Sequence, residues 1–190
     1  MKVSVIILTI DGREEMLKEA FNSVCNQTVK PYEIIIITGK EGVRKKWNKG
    51  IVKSEGDAFI PLCDDDKLDK TYIEKTTGVM KDKKADIVGT ALETFGIESG
   101  IHRFNETPPG TSLIKKSIWK KVGGYDENIG VGGDSDLFEM CKRVNAKIEI
   151  IPEPLLKYRQ HKNNWSKSGD WEESNKYRKN KYENINNNTI

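Results

Sequence analysis

The chain alternates short, almost continuously apolar runs with longer stretches whose apolar residues return at helical spacing. Val3-Ser4-Val5-Ile6-Ile7-Leu8 comes first, β-branched and nearly free of polar residues, as in an interior strand of a parallel sheet. Thr9-Ile10-Asp11-Gly12 reads as a turn. From Arg13 to Cys25 the apolar positions are Met16, Leu17, Ala20, Phe21 and Val24, which predicts a helix with one buried face. Glu33 to Thr38 repeats the strand pattern. Strand, helix, strand in this order implies a right-handed parallel crossover.

The same reading continues down the chain. Gly39-Lys40-Glu41-Gly42 is a loop, Val43 to Ile51 a short basic helix, and Ala58 to Leu62 a third strand. Lys67 to Met80 reads as a helix burying Leu68, Tyr72, Ile73 and Val79. Asp86 to Thr90 is a strand, and Thr94 to Thr107 is irregular, with glycines and prolines marking turns around it. Ser112 to Ile114 makes a short strand before a helix from Lys116 to Val122. The glycine-rich stretch Gly123 to Gly133 runs into a helix that starts at Asp134 and buries Leu137, Met140, Cys141 and Val144. Lys147 to Ile151 is a late strand, and Leu155 to His161 follows beyond Pro152 and Pro154. After Trp165 the composition shifts to Asn, Lys and Glu. The expectation is an α/β fold: one domain over residues 1–165 with a mostly parallel central sheet flanked by helices, then a peripheral C-terminal helix or tail over 166–190.

Composition narrows the function classes. At 190 residues and 36% hydrophobic content the chain can bury one ordinary core. Its net charge is only +3 and no basic block precedes a groove-reading motif, so nucleic acid is not an expected partner. Cys25, Cys63 and Cys141 show no paired spacing and read as buried free thiols. The run Val3 to Leu8 is too short for the core of a signal peptide, and no stretch approaches the roughly 20 apolar residues of a membrane span. A cytoplasmic location is expected. Trp165, Trp171, Tyr177 and Tyr182 read as packing for a terminal helix, with peripheral membrane contact as the second reading.

Chemistry concentrates where apolar runs end. Phe59-Ile60-Pro61-Leu62-Cys63 exits into Asp64-Asp65-Asp66. Adjacent carboxylates repel one another, and a hard cation such as Mg²⁺ or Mn²⁺ relieves that repulsion through oxygen ligands. A solvated turn capping the next helix is the alternative. In open α/β sheets ligands sit beyond the carboxyl ends of strands, where this cluster falls. Asp134 and Asp136 open a helix, as caps and dipole partners also do. His161 is a hydrogen-bonding residue or a ligand. Arg44 to Lys49 is a solvated helix face or a phosphate contact.

The ordered set of motifs resembles the family 2 glycosyltransferases, which have the GT-A fold. Five segments, between about Lys2 and Trp165, carry the resemblance: Val3 to Leu8 with Thr9, Asp11, Gly12, Leu17 and Ser23 to Gln27; Glu33 to Ile37; Asn48-Lys49-Gly50-Ile51; Asp64-Asp65-Asp66 with Tyr72-Ile73-Glu74; and Val122 to Glu127 with Gly133 to Leu137 and Tyr158 to His161. It implies transfer of a sugar from a nucleotide-diphosphate donor (UDP-, GDP- or dTDP-linked) to a hydroxyl of a glycan, lipid-linked or protein acceptor, with inversion. Asp64, Asp65 and Asp66 would take the DxD position, which holds a Mn²⁺ or Mg²⁺ ion on the donor diphosphate, and His161 would complete the metal site. Asp134 would be the general base, with Gly132, Gly133 and Asp136 on the acceptor side. Donor contacts would come from Thr9, Asp11, Thr38, Lys45 and Lys46 as well as Asp64 and Asp65. The chain departs from the family pattern at Thr38, Cys63 and Trp47, where an acidic residue, an aspartate and an arginine are usual. The competing readings are a sugar-phosphate nucleotidyltransferase and a non-catalytic domain that binds a nucleotide sugar or a cation.

Overall fold

A computed structural model describes residues 1–164, 167 and 170–187. Trp165 and the expected boundary beside it lie outside the described residues. Strands β1 (Val3–Leu8), β2 (Glu33–Ile37) and β3 (Ala58–Cys63) follow the apolar runs, and helices α1 (Glu14–Cys25) and α2 (Val43–Lys53) connect them. β4 (Lys67–Leu68), α3 (Tyr72–Asp82), β5 (Ile87–Gly96), β6 (Gly100–His102), β7 (Leu113–Lys115) and α4 (Lys116–Lys121) come next. α5 (Gly133–Arg143), β8 (Ile148–Gln160) and α6 (Trp171–Asn187) complete the order.

One sheet runs β2-β1-β3-β7-β5-β8-β4, with β6 beside β5. Pairing is parallel through β2, β1 and β3 and again between β5 and β8; β7, β4 and β6 pair antiparallel. Each interior strand is apolar on both faces because both faces are covered. Val5 and Ile7 of β1 join Ala20, Val24, Ile60, Leu62, Tyr72 and Ile73 in a core under α1 and α3. Ile6 and Leu8 point the other way and join Trp47, Ile51, Phe59, Trp119, Leu137 and Phe138 under α2, α4 and α5. The result is an α/β arrangement with a mixed sheet covered by helices on both faces.

Three expectations are corrected. The helix expected from Lys67 starts at Tyr72, because Lys67 and Leu68 pair with Lys157 and Leu156 instead. The stretch from Thr94 is not irregular throughout: β5 continues to Gly96 and turns back as β6, with Thr94 opposite Gly100. Pro152 and Pro154 do not end the late strand. β8 runs through both, and two register shifts against β5, between Thr90 and Ala91 and between Ala91 and Leu92, absorb the ladder bonds that proline cannot donate.

Candidate active site

Leu8 lies opposite Cys63 in the β1–β3 ladder, so both strands end at one level and their following residues meet. The Asp64 amide donates to the Leu8 carbonyl at 3.0 Å, and the Thr9 hydroxyl donates to Asp64 Oδ2 at 2.7 Å. Arg13, just before α1, places Nη1 2.9 Å from Asp64 Oδ1 and 3.5 Å from Asp65 Oδ2. Asp64 is buried with both oxygens engaged.

β8 delivers the other half of the cluster. The Arg159 amide donates to Asp66 Oδ1 at 2.9 Å, and Arg159 Nε donates to the Asp65 carbonyl at 3.0 Å. The Arg159 side chain is held over the Phe95 ring at 4.5 Å and reaches Glu19 at 2.8 Å. Two residues on, His161 Nε2 lies 2.9 Å from Asp65 Oδ2. His161 and the aspartates, 95 residues or more apart in the chain, therefore meet.

Asp65, Asp66 and Cys63 bring ligand atoms within 4.8 Å of one another. Cys63 borders open clefts and is exposed, yet enough protein surrounds it that desolvation, followed by Asp66, Asp65 and Asp64, pushes its thiol well above the ordinary value. Desolvation and then Asp65 likewise hold the Asp66 carboxyl well above the carboxylate range. A cation would relieve this crowding. The donor set fits a hard ion through Asp65 and Asp66; a thiol that resists ionisation is a poor partner for Mn²⁺ or Mg²⁺. The expectation of three buried thiols is corrected: Cys25 and Cys63 are exposed and Cys141 is buried.

Two clefts meet at Cys63 and Asp65. One, of about 660 Å³, lies over the end of β1 and is lined by Thr9, Asp11, Arg13, Lys46, Asp64 and His161 among others. The second, of about 310 Å³, is lined by Arg44, Asp65, Asp66, Gly132, Asp134 and Trp171 among others. Asp134 thus lines the same cavity as Asp65 and Asp66. Gly132 adopts the left-handed conformation that starts α5, and a Cβ on Gly110 would crowd the Asp134 carboxylate.

Thr38, Lys45 and Asp136, predicted for the site, lie apart from these clefts. Thr38 and Lys45 are exposed and line neither. Lys46, one position along the helix, turns inward and donates to the Gly39 carbonyl at 3.3 Å. Asp136 is buried, with Oδ2 2.7 Å from Lys181 Nζ and Oδ1 accepting from the Tyr182 hydroxyl at 2.7 Å. Asn48 and Tyr125, from two separate motifs, form one contact: the Asn48 amide donates to the Tyr125 carbonyl and accepts from its amide, both at 2.9 Å. Arg13, Arg44 and Trp171 were not picked out as site residues from the sequence. A basic residue before a helix or in its first turn looks like a solvated face until a distant carboxylate is known to approach it.

Strand ends gathered beside two clefts define an α/β architecture with a ligand crevice beyond its sheet. No family model matches the chain. An uncharacterized glycosyltransferase of Methanocaldococcus jannaschii is 26% identical over 206 residues, covering 83% of this chain and 70% of that protein. Among solved structures, S. aureus TarS residues 1–349 in complex with UDP-GlcNAc align with a TM-score of 0.74 at 15% identity, covering 89% of this chain and 61% of that one. The complex of the same protein with UDP gives 0.71 at 14%, covering 84% and 61%. The chain spans about 60% of the TarS 1–349 chain. The likeness to TarS shows a GT-A-type fold, and the sequence relative is a glycosyltransferase. None of its described helices is long and apolar enough to cross a membrane.

Proposed function

We propose that the chain transfers a sugar from a nucleotide-diphosphate donor to an acceptor hydroxyl, with inversion at the anomeric carbon. The observation that carries this reading is the meeting of two clefts at Asp65, with aspartates of the cluster lining both and Asp134 lining the second. A donor laid from the β1 end across Asp65 would put its anomeric carbon toward Asp134. The acceptor oxygen then forms the new bond from the Asp134 side while the bond to the diphosphate breaks on the other, and Asp134 receives the acceptor's proton. Asp65 and Asp66 would hold a divalent ion, with His161 orienting Asp65; such an ion supplies charge neutralisation for the departing diphosphate. Arg13 holds Asp64 and Asp65 in place, and Lys46 lines the diphosphate side. The molecules in the TarS complexes, UDP and UDP-GlcNAc, make uridine nucleotides the first to try.

A nucleotide-sugar panel with Mn²⁺, and then with chelator, is the test. Turnover is expected with metal, and Asp134→Asn should lower it by about a hundredfold or more while sparing donor affinity. Undiminished donor binding in chelator would remove the metal from the reading and leave Arg13 and Lys46 to carry the diphosphate. Binding without any turnover would favour a non-catalytic nucleotide-sugar domain.

A further inference from the structure

Arg44 is a charged side chain that the reading above leaves without a task. It sits in the first turn of α2, is 7% exposed, and lines the cleft that contains Asp134. Its Nε and Nη2 donate to the Gly130 carbonyl at 3.3 and 3.0 Å. Nη2 also lies 3.9 Å from Asp134 Oδ1, and the guanidinium sits 5.8 Å from the centre of the Tyr125 ring. A Cβ on Gly133 would overlap the guanidinium, so the backbone just before Asp134 rests directly against it.

These contacts have a common consequence. Taking a cation out of water is costly unless it is paired and hydrogen-bonded. Here part of the compensation comes from the two ends of one short segment, the Gly130 carbonyl through hydrogen bonds and the Asp134 carboxylate as an ion pair at 3.9 Å. The three residues in between are Val131, Gly132 and Gly133, and the two glycines give that segment a wide choice of backbone conformations. A planar, rigid fork that touches both ends removes that choice. Lysine, with a point charge on a flexible stem, could meet one end but not hold the angle between them.

We propose that Arg44 is a positioning residue that pins the glycine segment and aims Asp134 at the acceptor hydroxyl. The idea rests on the reading of Asp134 as general base. It assigns Arg44 no contact with the donor diphosphate, since its donors are turned toward the loop.

The test uses the full chain and four forms: Arg44→Met, Arg44→Lys, Asp134→Asn and the Arg44→Met/Asp134→Asn double variant. Turnover and donor KM are measured with the nucleotide sugar that performs best in the panel, and affinity with its nucleoside diphosphate alone. Arg44→Met should lower kcat by about tenfold to a hundredfold with donor KM and diphosphate affinity within about twofold. Arg44→Lys should recover part of the loss. Adding Arg44→Met to Asp134→Asn should lower kcat no further, because the positioning residue acts through the base. Amide exchange over residues 130–134 should quicken in Arg44→Met while β1 and β3 stay protected. A tenfold loss of diphosphate affinity would make Arg44 a donor ligand and overturn the proposal, as would full additivity in the double variant. If Arg44→Met fails to fold, Arg44→Lys decides: wild-type kcat with unchanged exchange overturns the idea. If Asp134→Asn turns over normally, the base assignment itself falls, whatever Arg44 does.

Discussion

Asp134 and Asp136 are two positions apart on one helix and end in opposite surroundings. Side chains at that spacing point to different sides of a helix, so one faces the cleft while the other, 1% exposed, faces α6. Asp136 binds Lys181 and Tyr182, and its removal would leave a cation and a hydroxyl without their partner. Asp136→Ala is expected to cost about 3 kcal/mol, the low end for breaking a buried pair, because Lys181 keeps some contact with water. Denaturant unfolding measures it. The residues of the site were unevenly legible in the sequence. Asp64 to Asp66 and Asp134 stand at element ends, where periodicity stops and chemistry shows. Arg13, Arg44 and Arg159 gained meaning only when carboxylates 51, 90 and 93 positions away, respectively Asp64, Asp134 and Asp66, came within reach.

At the scale of elements, close approach decides two outcomes. Gly50 lets α2 lie tightly on the sheet: a Cβ there would sit 2.6 Å from Ile6 Cγ2 and 3.2 Å from Ile37 Cγ1. Gly50→Ala gains about 1 kcal/mol of helix propensity and loses roughly 1–3 kcal/mol to overpacking. Net destabilisation is expected, read as a lower Tm. The attachment of α6 is pH-sensitive in a definite sense. Burial alone would raise the Asp126 carboxyl, but hydrogen bonds from Lys181 and the Asn128 amide, with the Lys181 charge, hold it below the ordinary value of 3.8. Burial would lower Lys181, but Asp136 and Asp126 hold it above 10.5. A lowered acid contributes stability above its unfolded pKa and loses it as pH falls through the folded one. A raised lysine contributes below its unfolded pKa and loses it as pH climbs through the folded one. Hydrogen exchange in α6 should therefore be slowest between these limits, relative to the intrinsic rate, and quicken below about pH 4, the ordinary aspartate value, before the sheet opens. Unchanged protection of α6 in acid would show that other contacts hold it.

Over the whole molecule, the layers were legible because β1 and β3 carry their burial in their own composition; β2 is as apolar but lies at the sheet edge, where only Ile37 is buried. What escaped was pairing set at a distance. Lys67 and Leu68 look helical until β8 claims them, and β8 looks broken at Pro152 and Pro154 until its bulged register with β5 is known. In both cases long-range hydrogen bonds outweighed a local preference.

That one strand also sets a timetable. β8 closes the sheet against β5 some 60 residues earlier and, at its end, hands Arg159 to Asp66 and His161 to Asp65. A ribosome making this chain will have released β1, α1 and β3 long before those partners exist, so until β8 is made the cluster has only the Thr9 and Arg13 side chains to brace it. Chains arrested before residue 148 should collapse around the first three strands yet fail to retain Mn²⁺ at concentrations that saturate the finished protein, and equal retention would show that β8 is dispensable to the cluster. On the proposed reading, cation capture would report that β8 has joined the sheet: a strand made late braces a cluster made early.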